Sequence, residues 1–447
     1  MRGAIRRGRW LLPVLVCLLA LSGLPAGPLQ DDDRASLYRS GADVPLPDPI
    51  VPEPTATPTA ERALLNIEGP TVTPQPAPPT PAATATPEAA AVSVPEADRI
   101  RARKRAIAIY SSLWEQFYLP DDRLFRETAP YDTGYPYAYL WPLSQTLGVA
   151  TEMAALPEAD PQYTFDALSV ASAIESYFDD DRQPPAYSSY IPPPYGHAND
   201  RFYDDNAWIG IELMRAYDVT GYELAIERAG QIFDYLVSGW DASESGPTSG
   251  GVYWVEASWS QHRNTVSTAP AAMLGLLLAA QEDDAGRRHY ELEWSKRMYD
   301  WVDATLRDPG GLYWDHIDEN GVIDEAIYTY NQGAMLGASL LLYQATNDER
   351  YLDRADEIGR AVIRRWDVDG LLAQPIAFNA ILLANLLTLN DARPNQAYID
   401  LFVAYADRLW DEQRDPDTNL VTASVPADLL NQSAAARIYA MLAGYGS

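Results

Sequence analysis

Two kinds of helical run alternate along the chain from about residue 98 to residue 447, and this pattern limits its possible folds more than any other feature. One kind is apolar on every side. Ala271-Ala272-Met273-Leu274-Gly275-Leu276-Leu277-Leu278-Ala279-Ala280 shows it best, and only a helix enclosed all round tolerates such a sequence. Similar runs occupy 206–217, 333–345 and 376–389. The other kind carries a single apolar stripe. After Tyr222, the residues Ala225, Ala229, Ile232, Phe233 and Leu236 share one face, while Glu223, Glu227 and Arg228 lie off it. After Tyr351, the stripe is Leu352, Ala355, Ile358, Val362, Ile363 and Trp366. Short turns lead from apolar to striped runs, as in Val219-Thr220-Gly221-Tyr222, Thr346-Asn347-Asp348 and Asn390-Asp391. Longer loops rich in glycine and aromatics lead back.

The pattern predicts twelve helices, at about 98–118, 143–156, 162–179, 203–218, 222–238, 265–281, 288–307, 331–345, 350–365, 375–390, 395–412 and 431–444. Six inner helices ringed by six outer ones form an all-α (α/α)6 barrel. The first run is striped and the last apolar, so the chain ends pair and close the ring. All inner helices then point the same way, and their starts gather at one end of the barrel.

Two segments precede this domain of residues 98–447. Residues 1–26 have Arg2, Arg6, Arg7 and Arg9, then an apolar run from Leu11 to Leu21. That reads as an export signal, since the run falls short of the roughly 20 residues a spanning helix needs. An uncleaved anchor is the alternative. Residues 27–97 are dominated by Pro, Thr and Ala, as in Thr71-Val72-Thr73-Pro74-Gln75-Pro76, and read as a disordered linker. The expected location is extracellular or at the cell surface.

Charge narrows the partners. Lys and Arg number 33 against 63 Asp and Glu, and the net charge is −30. Nucleic acid and anionic membrane need clustered cations, so both are excluded, and membrane contact is left to the N-terminal segment alone. A neutral polysaccharide remains compatible. The single cysteine, Cys17, forms no intrachain disulfide, and four scattered histidines offer no metal-ligand pair. No cofactor and no metal is expected, although Asp315 and Asp318 make an incomplete calcium pattern. A monomer is expected.

The residues at the inner-helix starts are selective. They are Trp141 and Gln145, Asp204 and Asp205, Asn264, Asn331 and Gln332, Gln374, and Asn431 and Gln432. Capping accounts for Asn and Asp at such places, but not for repeated Gln or for adjacent carboxylates among aromatics. Amides that bond hydroxyls, rings that stack on sugars and paired acids together suit a sugar-processing cleft.

Tyr203-Asp204-Asp205-Asn206-Ala207-Trp208 resembles the paired-aspartate signature of glycoside hydrolase family 76, the endo-α-1,6-mannanases. Further segments agree in order: Leu140-Trp141-Pro142-Leu143-Ser144-Gln145, Gly239-Trp240-Asp241, Gly250-Gly251-Val252-Tyr253-Trp254, Asn264-Thr265-Val266-Ser267-Thr268, Gly311-Leu312-Tyr313-Trp314-Asp315 and Thr329-Tyr330-Asn331-Gln332-Gly333. The resemblance covers nearly all of residues 98–447 and implies the same barrel. It also implies a retaining hydrolase of α-1,6-mannan, with Asp204 as nucleophile and Asp205 as general acid/base. Retention requires carboxyl groups about 5–5.5 Å apart, and helix neighbours diverge by about 100°, so the pair must open the helix. The positive helix end is expected to favour an ionised Asp204, whose charge raises the pKa of Asp205. Expected substrate contacts are Trp141, Gln145, Tyr203, Asn206, Tyr253, Trp254, Asn264, Tyr313, Trp314, Tyr330, Asn331 and Gln332, while His316 is expected to serve as a loop hydrogen-bonder. An epimerase or polysaccharide lyase on the same barrel, or a non-catalytic glycan binder, are the alternatives.

Overall fold

The computed structural model describes residues 92–130, 136–243 and 249–446. The predicted signal segment and most of the predicted linker lie outside the described residues. In chain order the helices are α1 (Glu96–Phe117), α2 (Leu140–Ala154), α3 (Gln162–Glu175), α4 (Tyr203–Thr220), α5 (Leu224–Ser238), α6 (Thr265–Gln281) and α7 (Ala285–Thr305). Then follow α8 (Thr329–Thr346), α9 (Glu349–Arg365), α10 (Val368–Leu372), α11 (Ile376–Ala392), α12 (Gln396–Glu412) and α13 (Leu429–Gly444). None of these helices is long and apolar enough to cross a membrane.

Six helices form a closed inner ring. Each of α2, α4, α6, α8, α11 and α13 packs on the next, and α13 returns to α2. Their burial matches their composition: every residue from Leu140 to Met153, from Tyr203 to Ala216 and from Thr329 to Leu342 is buried. The outer helices bury one stripe each. In α9 it is Tyr351, Leu352, Ala355, Ile358, Gly359, Ala361 and Val362. Helix α1 packs against α13, so the chain ends join as expected and the (α/α)6 barrel closes. Close approach within the ring depends on Gly333, where an added β-carbon would lie 3.0 Å from the backbone carbonyl of Ile381 in α11.

Short left-handed turns link inner to outer helices. Gly221 ends α4 at φ 70° and Asn347 ends α8 at φ 56°. The long return loops bind one another at the other end. Thr128 and Ala129 pair with Asp428 and Ala427, Phe202 bridges Val255, and Arg263 pairs with Ile317. Leu140 N donates to Ser189 O, and Thr329 N donates to Gln374 Oε1. Each contact joins the approach to one inner helix with the approach to another, so all six inner starts lie together.

Three inner helices begin earlier than the apolar pattern suggests, at Leu140, Thr329 and Leu429 rather than near 143, 331 and 431. Pro142 is compatible with this, because a first-turn proline removes an N–H that no helix bond uses. The five-residue α10 was not expected. Its N-cap Asp367 accepts from Gly370 N, and it is too short to display a period.

Candidate active site

Asp204 and Asp205 stand in the first turn of α4, as the resemblance requires. Both are buried, at 1% and 6% exposure, yet their surroundings differ. Asp204 Oδ1 accepts from Asp205 N at 2.9 Å, and Asp204 Oδ2 accepts from Trp254 Nε1 at 3.0 Å. No group among the described residues donates to the Asp205 carboxyl. Burial pushes Asp204 up to about 7, against the pull of its two donors, and the nearby Asp315 charge adds to the rise. Burial therefore works against the ionisation expected at the helix start, while the two donors favour it. Asp205 is raised well above the ordinary carboxylate range, first by burial and then by the Asp204 charge. Asp204, with two donors, is the easier of the two to ionise.

A third acid completes the cluster. Asp315 Oδ1 accepts from Tyr330 Oη at 2.7 Å and Asn331 Nδ2 at 3.1 Å, and its Oδ2 meets His316 Nδ1 at 2.9 Å. Burial opposes charge on His316, but the Asp315 hydrogen bond leaves its pKa raised. The His316 ring stacks on His262, centroids 4.4 Å apart. His316 is thus the loop hydrogen-bonder expected. Asp315 was expected only in a loop motif and an incomplete calcium pattern, not as a partner of Tyr330 and Asn331, since that role depends on a loop returning beside α8. Asp318 lies apart, its Oδ1 accepting from Asn320 N and Val322 N in a turn.

The repeated amides have a structural role that sequence reading did not identify. The fourth residue of five inner helices turns back on the loop before it or on a neighbouring one. Asn206 Oδ1 accepts from Tyr187 N, and its Nδ2 donates to Tyr187 O and Phe202 O. Gln332 does the same with Tyr313 N, Tyr313 O and Tyr328 O. Gln432 accepts from Val421 N and donates to Ile109 O and Asn419 O. Thr268 Oγ1 accepts from Val252 N, and Asn379 links Leu371 O to Thr329 Oγ1. Asn206 and Gln332 are therefore loop clamps, their amide atoms used on backbone.

The remaining expected contacts divide. Trp254, Tyr330 and Asn331 join the carboxylate cluster. Trp141 and Gln145 are buried in the first two turns of α2, and Trp141 Nε1, Gln145 Oε1 and Asn331 Oδ1 have no partner among the described residues. Asn264 caps α6, its N–H taken by Ser267 Oγ. Tyr203 stacks on Tyr235 at 4.5 Å, and Tyr313 Oη donates to Asp303 Oδ1. Both of these rings pack toward outer helices. Tyr253 lies beneath the Arg263 guanidinium, and Trp314 is half-buried in the approach to α8.

The Glycosyl hydrolase family 76 model matches residues 102–438. Among curated relatives, the mannan endo-1,6-alpha-mannosidase DCW1 of Candida glabrata is 27% identical over 168 residues, 34% of this chain and 36% of that protein. The mannan endo-1,6-alpha-mannosidase DFG5 of Saccharomyces cerevisiae is 31% identical over 122 residues, 26% of each. The chain thus spans about a third or less of these relatives' length. A family 76 glycoside hydrolase (mannosidase) from Bacteroides thetaiotaomicron has the same fold at TM-score 0.67 and 26% identity, covering 77% of this chain and 98% of that one. An inactive variant of an α-1,6-mannanase from Salegentibacter, with two consecutive aspartates replaced by asparagine and α-1,6-mannotriose bound, matches at TM-score 0.61 and 23% identity, covering 76% and 99%. With the family model spanning nearly the whole barrel, the chain belongs to glycosyl hydrolase family 76.

Proposed function

We propose that this chain hydrolyses α-1,6-mannan with retention of configuration, using Asp204 as nucleophile and Asp205 as general acid/base. The observation that carries this reading is the unequal setting of two adjacent acids, one holding two donors and the other none. Names of relatives support the substrate: the yeast proteins are mannan endo-1,6-alpha-mannosidases. The Salegentibacter mannanase was inactivated at two consecutive aspartates and holds α-1,6-mannotriose.

The chemistry follows from the difference between the acids. Protonated Asp205 donates to the glycosidic oxygen as that bond breaks, while ionised Asp204 attacks the anomeric carbon to form a covalent glycosyl ester. Asp205, now ionised, takes a proton from water, which displaces Asp204 and leaves the sugar in its original configuration. Trp254 holds the attacking carboxylate by its indole N–H, and Asp315 braces Tyr330 and Asn331 beside it. An export signal at 1–26 and the spacer between it and α1 would carry the barrel outside the cell, as a monomer acting on a neutral glycan.

Incubating the purified chain with α-1,6-mannan tests this reading. Shortened, saturated mannooligosaccharides are expected. Unsaturated ends would indicate a lyase, epimerised sugars an isomerase, and binding without turnover a glycan-binding protein.

A further inference from the structure

Trp259 stands one ring beyond the carboxylate pair. Among the described residues it is the one tryptophan with more than half its surface in solvent, at 57% exposure. It is nevertheless held in place. Its Nε1 donates to Asp200 Oδ2 at 2.8 Å. Trp254 meets it edge-on, centroids 5.6 Å apart at 90°, and Phe202 lies 6.1 Å away at 61°. Trp254 in turn bonds Asp204 directly.

The loop carrying Trp259 is pinned from below. Glu256 accepts from Arg201 Nε at 2.8 Å and Arg201 Nη2 at 2.6 Å, and Glu256 N donates to Arg201 O. Arg201 is itself fully buried, with its guanidinium 4.8 Å from the Tyr235 ring. A large apolar ring left in water gains nothing for folding. Fixed in orientation, it has little entropy left to lose when a ligand covers it. An indole face also matches the C–H face of a pyranose, and the ring continues the aromatic wall that begins at Asp204.

We propose that Trp259 is a stacking platform for a pyranose unit of the glycan lying beyond the sugars at the scissile bond. The proposal rests on the hydrolase reading above and adds a distal subsite to it.

The test is steady-state kinetics of Trp259→Ala and Trp259→Phe on α-1,6-mannooligosaccharides of increasing length. For the longest substrate, Trp259→Ala is expected to raise KM about tenfold and leave kcat unchanged. The shortest substrate cleaved should show no change, Trp259→Phe should recover part of the loss, and melting temperatures should match wild type. Equal losses on short and long substrates, or no loss on any, would overturn the platform while leaving the hydrolase intact. Failure of the wild-type chain to cleave any of the series would overturn the hydrolase reading and the platform with it.

Discussion

Asp204→Asn and Asp205→Asn are each expected to lower hydrolysis of α-1,6-mannan by about 10⁴-fold or more, with the barrel intact by circular dichroism. The two positions should fail differently. Without the nucleophile no glycosyl ester forms, whatever the leaving group. Without the acid, a substrate whose leaving group needs no proton still reacts in the first step. An aryl α-mannobioside with an acidic phenol should therefore give a burst of phenol with Asp205→Ala and none with Asp204→Ala. In the wild type, kcat/KM should climb as pH rises toward about 7, where Asp204 ionises, and fall where Asp205 loses its proton.

Stability carries the opposite dependence. The Asp204 carboxyl holds its proton more tightly in the fold than in the unfolded chain, because burial disfavours the charge. The native state then binds more protons between the ordinary carboxylate range and about 7, so stability falls as pH rises through that window. Asp204→Asn removes this decline. Its melting temperature should gain on wild type between pH 5 and pH 8, an example of an active site held at the expense of stability.

The second large effect is expected about two turns along α4 from the aspartate pair. Deep in the barrel, Arg437 of α13 and Arg215 of α4 both bond Glu212, and Arg215 also bonds Glu152 of α2. Arg437 and Glu212 are fully buried. Gly148 makes room for them, since an added β-carbon would overlap the Arg437 guanidinium. Burial raises Glu212 to about 8 against the pull of Arg437, and it lowers Arg437. Such a cluster is close to neutral for stability when whole and costly when one member is lost. Arg437→Met should cost about 3–5 kcal/mol, a third or so of a typical folding free energy. Chemical denaturation would measure it. The loss should shrink as pH falls, because Glu212 and Glu152 are then left to share Arg215 and one of them can take a proton. Catalysis per folded molecule should be unchanged.

Much of this was legible in the residues. Inner and outer helices separate by composition because the ring encloses the inner ones completely, and the closing of α1 on α13 follows from which end is striped. Asp204 and Asp205 stood out as candidates because adjacent acids at a helix start are hard to explain by capping. The amides were misread in part. Asn206 and Gln332 looked like hydroxyl binders, but a side chain that clamps backbone leaves the same letters at the same place. Asp315 stood out only as part of a loop motif and an incomplete calcium pattern, and Trp259 left no signal of its own. Their roles arise from irregular loops crossing near α4, α6 and α8, and no periodicity records such crossings. Tyr203 and Tyr313 show the converse, aromatic neighbours of site residues that face outward.

Proton NMR of the first products released from α-1,6-mannan would test the paired-aspartate mechanism most directly. Retention through Asp204 and Asp205 predicts new reducing ends that appear first as the α-anomer and only later equilibrate. First appearance of the β-anomer, or α-anomer release undiminished in Asp204→Asn, would contradict it.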